Sequence, residues 1–143
     1  MSRNIIFASE NTDFVLPAKE KNKKWLSAIA KKYGKKISEL NYIFCNDEYL
    51  LDINVKYLDH DTLTDIITFD NSDGGAFIVS DIFISVERVK ENAEEFKVSF
   101  ETELKRVMAH GLLHILGYKD KTDDDASKMR KAEDESIALF DTI

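Results

Sequence analysis

The chain has 143 residues, of which 43% are hydrophobic, with nine Phe and five Tyr, so it is long enough for one domain and too apolar to be disordered. Five Gly and one Pro disfavour a many-turned β-sandwich, and the single cysteine excludes an intrachain disulfide. A net charge of −7 argues against avid nonspecific binding to nucleic acid.

The first half of the chain predicts two strands that alternate with two helices. The segments are a strand over 4–9, a helix over 17–33, a strand over 41–45 and a helix from 47 to about 57. Pro17 suits the first turn of the first helix, and Gly34 suits its end. Asp47 is predicted to cap the second helix.

The second half predicts a hairpin followed by three helices. The strands cover 64–69 and 76–85 around a polar turn at 71–75, and the helices cover 86–96, 99 or 100 to 116, and a segment capped by Thr122. This order predicts an α+β fold in a single domain over 1–143. In that fold, helices pack on a small mixed β-sheet, and a metal site lies at the end of a central helix.

A basic segment and the compartment can also be predicted. Pro17 to Lys36 holds eight Lys and one Glu, which favours either a patch for a polyanion or an ordinary solvated helix face. Lys23 and Lys24 are its candidate substrate contacts. The first nine residues lack a signal-peptide core, and no stretch approaches the ~20 apolar residues of a membrane span. With the lone Cys45, this predicts a cytoplasmic protein that binds no membrane.

A pair of histidines carries the strongest chemical signal. His110 and His114 are four residues apart on a predicted helix, so they project from one face and can share a metal ion. Gly117 permits a left-handed helix stop that turns the chain back and brings Asp120 towards the ion. Two His and one Asp leave a position open for water, as in catalytic zinc sites, although such a set can also hold iron. The alternative is two core or capping histidines and a surface aspartate.

Gly111 separates this motif from the metallopeptidases that it resembles. Those enzymes carry a Glu directly after the first His, and that Glu serves as the general base. Glycine cannot move a proton, so peptidase chemistry lacks its base here.

The motif resembles that of the YbeY family of endoribonucleases, which mature ribosomal RNA. The family's His-Gly-x-Leu-His-x-x-Gly-Tyr stands here at 110–118 and is followed by an acidic stretch at 123–125. Its upstream signature matches Asn54 to Tyr57 and 63–69, and its Gly-Asp-Ile strand matches 80–82. The resemblance covers about residues 40 to 130.

Three positions depart from the family pattern. Asp120 stands where the family's third metal ligand is usually His, and a carboxylate can also bind zinc. Leu58 replaces an Arg that is a candidate for contact with phosphate. Ser80 replaces a Gly.

The resemblance implies a zinc-dependent, single-strand-specific endoribonuclease that acts in maturation of the 16S rRNA 3′ end and in ribosome quality control. It implies one Zn²⁺ or another divalent metal per chain. The implied partners are ribosomal RNA, the small ribosomal subunit or its proteins, and an Era-type GTPase, with no DNA. The alternatives are a non-catalytic ribosome-assembly factor with a structural metal, which the loss of Arg at position 58 motivates, and a metallopeptidase.

The remaining candidates are assigned by position. The sequence identifies no catalytic residue, and the expected reactive group is a water held by the metal. Possible contributors to catalysis are His60, Asp65 and Thr64. Tyr57 and Thr68 are further candidate substrate contacts, and the alternative for the strand residues is an ordinary exposed strand. Asp81, inside an apolar strand, is predicted to brace the site or to lie at a bulge.

Overall fold

In a computed structural model, the chain is described over residues 4–59, 63–119 and 121–143. Nine elements in these ranges follow the predicted order and confirm the α+β class. They are β1 (Ile5–Ser9), α1 (Lys19–Lys32), β2 (Lys36–Cys45), α2 (Asp47–Leu58), β3 (Ile66–Asp70), β4 (Phe77–Ser85), α3 (Val86–Phe96), α4 (Phe100–Ile115) and α5 (Asp123–Phe140).

The sheet has the strand order β1-β2-β4-β3. β1, β2 and β4 are parallel, whereas β3 and β4 form the predicted antiparallel hairpin. Asp70 pairs with Ser80, and Lys36 pairs with Phe77. Hence β2 and β4 begin at the same end of the sheet at which β3 ends.

The two faces of the sheet differ in cover. The main core lies on the face that carries α1, α4 and α5, where Trp25, Tyr42 and Leu112 are fully buried. Trp25 also donates from Nε1 to the carbonyl of Ser136 at 2.7 Å, which ties α1 to α5. A smaller cluster, which includes Cys45 and Leu50, packs α2 on the opposite face.

The prediction that Pro17 lies in the first turn of α1 is wrong. Ala18 precedes the helix in the left-handed conformation, with φ of 53°, and the helix begins at Lys19. The Asn22 side chain donates to the carbonyls of Pro17 at 3.1 Å and Ala18 at 3.0 Å. These bonds stabilise an entry that lacks a side-chain cap.

Two further boundaries differ from the prediction because partners in the fold determine them. β2 begins at Lys36 rather than Asn41, since its first residues pair with β4. Asn46, not Asp47, caps α2 by accepting from the amide of Tyr49 at 2.9 Å. The Asp47 carboxylate instead accepts from Arg88 Nε at 3.1 Å and Ser85 Oγ at 2.6 Å.

Asp81 neither braces the histidine motif nor lies at a bulge. Its Oδ1 accepts from Asn41 Nδ2 at 2.8 Å, a bond across neighbouring strands. The irregularity in the sheet lies between Ile37 and Glu39 of β2.

Thr122 caps α5 as predicted, by accepting from the amide of Asp125 at 3.0 Å. Within the described ranges, no helix combines the length and the apolar character that crossing a membrane requires.

Candidate metal centre

The histidine pair lies on α4, which packs on β3 and β4. The four-residue spacing places His110 and His114 on one face of this helix. His110 is partly buried, whereas His114, one turn nearer the C-terminus, is exposed. The helix therefore carries one imidazole among packed groups and one at the surface.

Glu133 of α5 is a functional candidate that the sequence did not reveal. Its Oε2 lies 2.7 Å from Nδ1 of His110, and its Oε1 accepts from Arg106 Nη1 at 3.2 Å. The side chain is only 7% exposed, so these contacts offset the cost of burying its charge. Glu133 lies among other charged residues of α5, and no spacing signal links it to His110.

The bond to Glu133 makes His110 suitable for a metal. A neutral imidazole that donates from Nδ1 to a carboxylate has Nε2 as the ring nitrogen through which a metal binds. Among the described residues, no three His, Cys, Asp or Glu side chains already form a metal-binding group. Asp120, the predicted third ligand, and His60 lie outside the described residues. Their roles therefore stay predictions.

Gly117 adopts the conformation that its position predicts. Its φ is 113°, its amide donates to the His114 carbonyl at 3.1 Å, and the Tyr118 amide donates to the Leu113 carbonyl at 3.0 Å. Such bonds close a helix end around a left-handed residue. α4 therefore ends at Ile115, one residue after His114.

Gly111 has a packing role that the sequence did not suggest. A Cβ atom at this position would lie 2.7 Å from Cδ1 of Ile66 and 3.2 Å from both Cδ1 and Cγ2 of Ile82. The glycine therefore lets α4 approach β3 and β4 closely. A side chain at position 111 would meet this apolar contact, and the glycine itself has no group that could serve as the general base of a peptidase.

Asp65 lies just before β3, within electrostatic reach of His110. Partial burial raises the pKa of Asp65 above its usual value, while the positive form of His110 opposes that rise. Asn92 Nδ2 donates to Asp65 Oδ2 at 3.3 Å. The structure therefore brings this candidate to the histidine site. Thr64 Oγ1 donates at 3.4 Å to the carbonyl of Ile66.

Asp70 is a neighbour of the second histidine. Burial acts to raise the pKa of Asp70, but hydrogen bonds from Ser72 and Ser80 and the positive form of His114 hold it below its usual value. Ser80 Oγ donates to Asp70 Oδ1 at 3.1 Å. The serine that replaces the family's glycine thus helps to fix this carboxylate.

The substrate candidates lie in different places. Thr68 and Thr64 line a groove of about 370 Å³ that Leu58 also borders. The Tyr57 ring is exposed and meets Phe69 edge-on, with ring centroids 6.0 Å apart.

Lys23 and Lys24 lie in the first half of α1. Lys23 forms an ion pair with Glu20 at 3.3 Å, and Lys24 is exposed. The opposite end of the helix is the one that adjoins the histidine motif, since the Tyr33 and Tyr118 hydroxyls are 3.1 Å apart.

Comparison with known proteins gives consistent matches over nearly the whole chain. A profile of the family described as Endoribonuclease YbeY matches residues 6–141. A Flavobacterium johnsoniae protein of that name is 59% identical over 129 residues, covering 90% of this chain and 92% of the relative. One from Cytophaga hutchinsonii is 53% identical over 135 residues, covering 94% of each. The solution structure of TM1509 from Thermotoga maritima has a TM-score of 0.65 at 25% identity, covering 95% of this chain and 88% of that one.

Proposed function

This chain belongs to the Endoribonuclease YbeY family, and from that membership we propose that it hydrolyses phosphodiester bonds within single-stranded RNA. The observation that carries the proposal to a particular site is the 2.7 Å contact between His110 Nδ1 and Glu133. It orients an imidazole for metal binding one helical turn before a second histidine.

We propose that one Zn²⁺ per chain is held by His110, His114 and Asp120, although another divalent ion would suit the same donors. A bound ion would supply Lewis-acid stabilisation of the charge that develops on the scissile phosphate. The carboxylate at position 120 gives the set one more negative charge than the histidine usual in the family.

The protein's own groups have separate tasks in this proposal. Glu133 holds the proton on Nδ1 of His110 and fixes the orientation of the ring. Asp65, beside His110, is placed to accept or return a proton at its carboxylate oxygens. Thr68 lines the adjoining groove, where its hydroxyl can position the substrate. The chain thereby supplies orientation and proton transfer around the metal position.

We further propose that the substrate is ribosomal RNA in the cytoplasm, with maturation of the 16S rRNA 3′ end and ribosome quality control as the processes served. The small ribosomal subunit or its proteins, and an Era-type GTPase, are the proposed partners. Depletion of the protein in its host should leave 16S rRNA with an unprocessed 3′ end. Wild type should restore processing, and His114→Ala should not.

The activity itself can be tested with purified protein. Single-stranded RNA is incubated with metal-loaded wild type, with His114→Ala and with Glu101→Ala, an exposed change at the far end of the same helix. We expect cleavage by wild type and Glu101→Ala only. Equal cleavage by His114→Ala would refute the proposal. Elemental analysis of wild type beside Asp120→Ala tests the third ligand, and loss of one metal ion per chain is expected.

A second candidate is a ribosome-assembly factor in which the metal is structural. Leu58, 43% exposed at the end of α2, favours it because an aliphatic side chain cannot contact phosphate where relatives carry Arg. In that case chelation would lower the melting temperature, and any RNase activity would be unchanged in the His110→Ala and His114→Ala variants.

A further inference from the structure

We propose that the end of α1 and the starts of β2 and β4 form a surface that holds single-stranded RNA beyond the cleaved bond. This surface, the basic platform, consists of Lys31, Lys35, Lys36 and Phe77. The inference rests on the proposed function, since it assigns the path of the same substrate. It also shifts the basic contacts from Lys23 and Lys24 to the opposite end of the lysine-rich segment.

The charges of the platform are uncompensated. Within the described ranges, Lys31 and Lys36 are exposed and form no ion pair. Lys35 donates from Nζ to the carbonyl of Gly75 at 2.7 Å, and this acceptor carries no net charge. By contrast, Lys32 is paired with Glu135 at 3.3 Å. Three positive charges therefore remain for phosphate groups, which bind Lys through release of counterions.

An aromatic ring lies beside these lysines. Phe77 is 56% exposed and lines a cavity of about 520 Å³ together with Lys31, Lys35 and Lys36. Exposed aromatic rings next to basic side chains are the common arrangement for binding single strands, because any base can stack on the ring while the backbone meets the charges. An acidic protein segment would use the lysines but would gain no base stacking on Phe77.

The platform lies at the same end of the sheet as His114. Tyr118, four residues after His114, has its hydroxyl 3.1 Å from that of Tyr33 at the end of α1, so the histidine motif adjoins the end of the helix that carries Lys31. At the same end of the sheet, Asp70 of β3 pairs with Ser80 of β4. On β4, Phe77 lies three residues before Ser80, which corresponds to roughly 10 Å along the strand. β2 is the neighbouring strand, about 5 Å from β4. A strand that leaves the histidines and passes around this end of the sheet can therefore reach the platform.

α3 provides a matched control surface. Lys90 and Phe96 of this helix and Lys97, which directly follows it, are exposed, so the same chemical changes can be made away from the platform. The platform variant Lys31→Ala/Lys36→Ala is compared with the control Lys90→Ala/Lys97→Ala. The platform variant Phe77→Leu is compared with the control Phe96→Leu. Each pair removes the same charge or the same ring.

Binding is measured in the His114→Ala background with single-stranded RNAs of about 16 and about 4 nucleotides, which bracket common single-strand site sizes. For the longer RNA, Lys31→Ala/Lys36→Ala should lower the slope of log affinity against log salt by about 1.4, or 0.7 per phosphate contact. Phe77→Leu should weaken that binding roughly tenfold. The α3 variants should bind the longer RNA nearly as wild type does. Binding of the shorter RNA should differ little among all the variants.

Cleavage by the enzyme with His114 intact separates the two proposals. If that enzyme cleaves RNA while the platform variants bind the longer RNA as tightly as the α3 variants do, the platform is refuted and the proposed function stands. If it cleaves no RNA but the salt slope still falls in Lys31→Ala/Lys36→Ala, the platform is supported and the proposed function fails.

Discussion

His110 Nδ1 and Glu133 Oε2 are 2.7 Å apart, although they lie 23 residues apart in the chain, on α4 and α5. The second oxygen of Glu133 accepts from Arg106, and Arg106 Nη1 also donates to Asp134 at 3.0 Å. A charged and nearly buried carboxylate is thus held from two sides. It fixes which nitrogen of His110 carries the proton, a feature that metal-binding histidines commonly require.

We predict that Glu133→Gln lowers metal affinity by roughly 10- to 100-fold, the usual effect of losing a carboxylate behind a metal-binding histidine. The affinity is measured by competition for Zn²⁺ with a chromogenic chelator. Glu135→Gln is the control, since Glu135 lies on the same helix but pairs with Lys32. Equal affinities in both variants would show that Glu133 does not act through His110.

Gly111→Ala should destabilise the fold. Overpacking against Ile66 and Ile82 costs about 1–3 kcal/mol, and the better helix propensity of Ala returns up to about 1 kcal/mol. We expect a net loss of about 1 kcal/mol in the free energy of unfolding, measured with urea. Ile66→Val removes the methyl group that the new Cβ would meet. Ile66→Val should therefore lower the free energy of unfolding less in the Gly111→Ala protein than in wild type. If the losses caused by the two substitutions simply add in the double variant, the predicted contact is absent.

Glu103→Gln should stabilise the protein at neutral pH. Burial raises the pKa of Glu103, which Arg106 only partly offsets, and Oε1 of Glu103 has no hydrogen-bond partner within the described part of the chain. Because the folded-state pKa is raised, ionisation costs stability once the pH exceeds the unfolded value of about 4.3. The advantage of Gln over Glu at pH 7 should shrink as the pH falls through the raised pKa and vanish below pH ~4.

Urea unfolding at several pH values measures this difference. The exposed Glu101 of the same helix provides the control, because Glu101→Gln removes a charge that suits the helix N-terminus. That variant should be slightly less stable than wild type at neutral pH. A Glu103→Gln protein that is no more stable than wild type at pH 7 would contradict the prediction.

Cys45 should be unreactive in the folded protein. Burial raises the pKa of its thiol to about 12, and the charge of Asp47 adds to the rise. Only the thiolate reacts, so at pH 8 about one molecule in ten thousand is competent even before access is considered. A chromogenic disulfide reagent should label Cys45 within minutes in the protein unfolded by guanidinium. The same reagent should leave the native protein unlabelled. Rapid stoichiometric labelling of the native protein would contradict its burial.

Features whose causes lie within a few residues of one another could be predicted from the sequence. The spacing of hydrophobic residues, the capping residues and the turn residues indicate a helix or a hairpin from the local sequence alone. The order of the nine elements and the left-handed residue Gly117 at the end of α4 were therefore predictable. The four-residue spacing likewise placed His110 and His114 on one helix face. The comparisons then confirmed the family that these motifs resemble.

Contacts between groups from different helices and strands became apparent only in the folded protein. Glu133 reaches His110 because α5 packs on α4. Gly111 contributes to packing because α4 lies close to Ile66 and Ile82, and β2 begins early because β4 pairs with it. Such contacts depend on how the apolar faces of different elements pack together. The sequence of one segment shows its own apolar face but does not show which other segment will cover it.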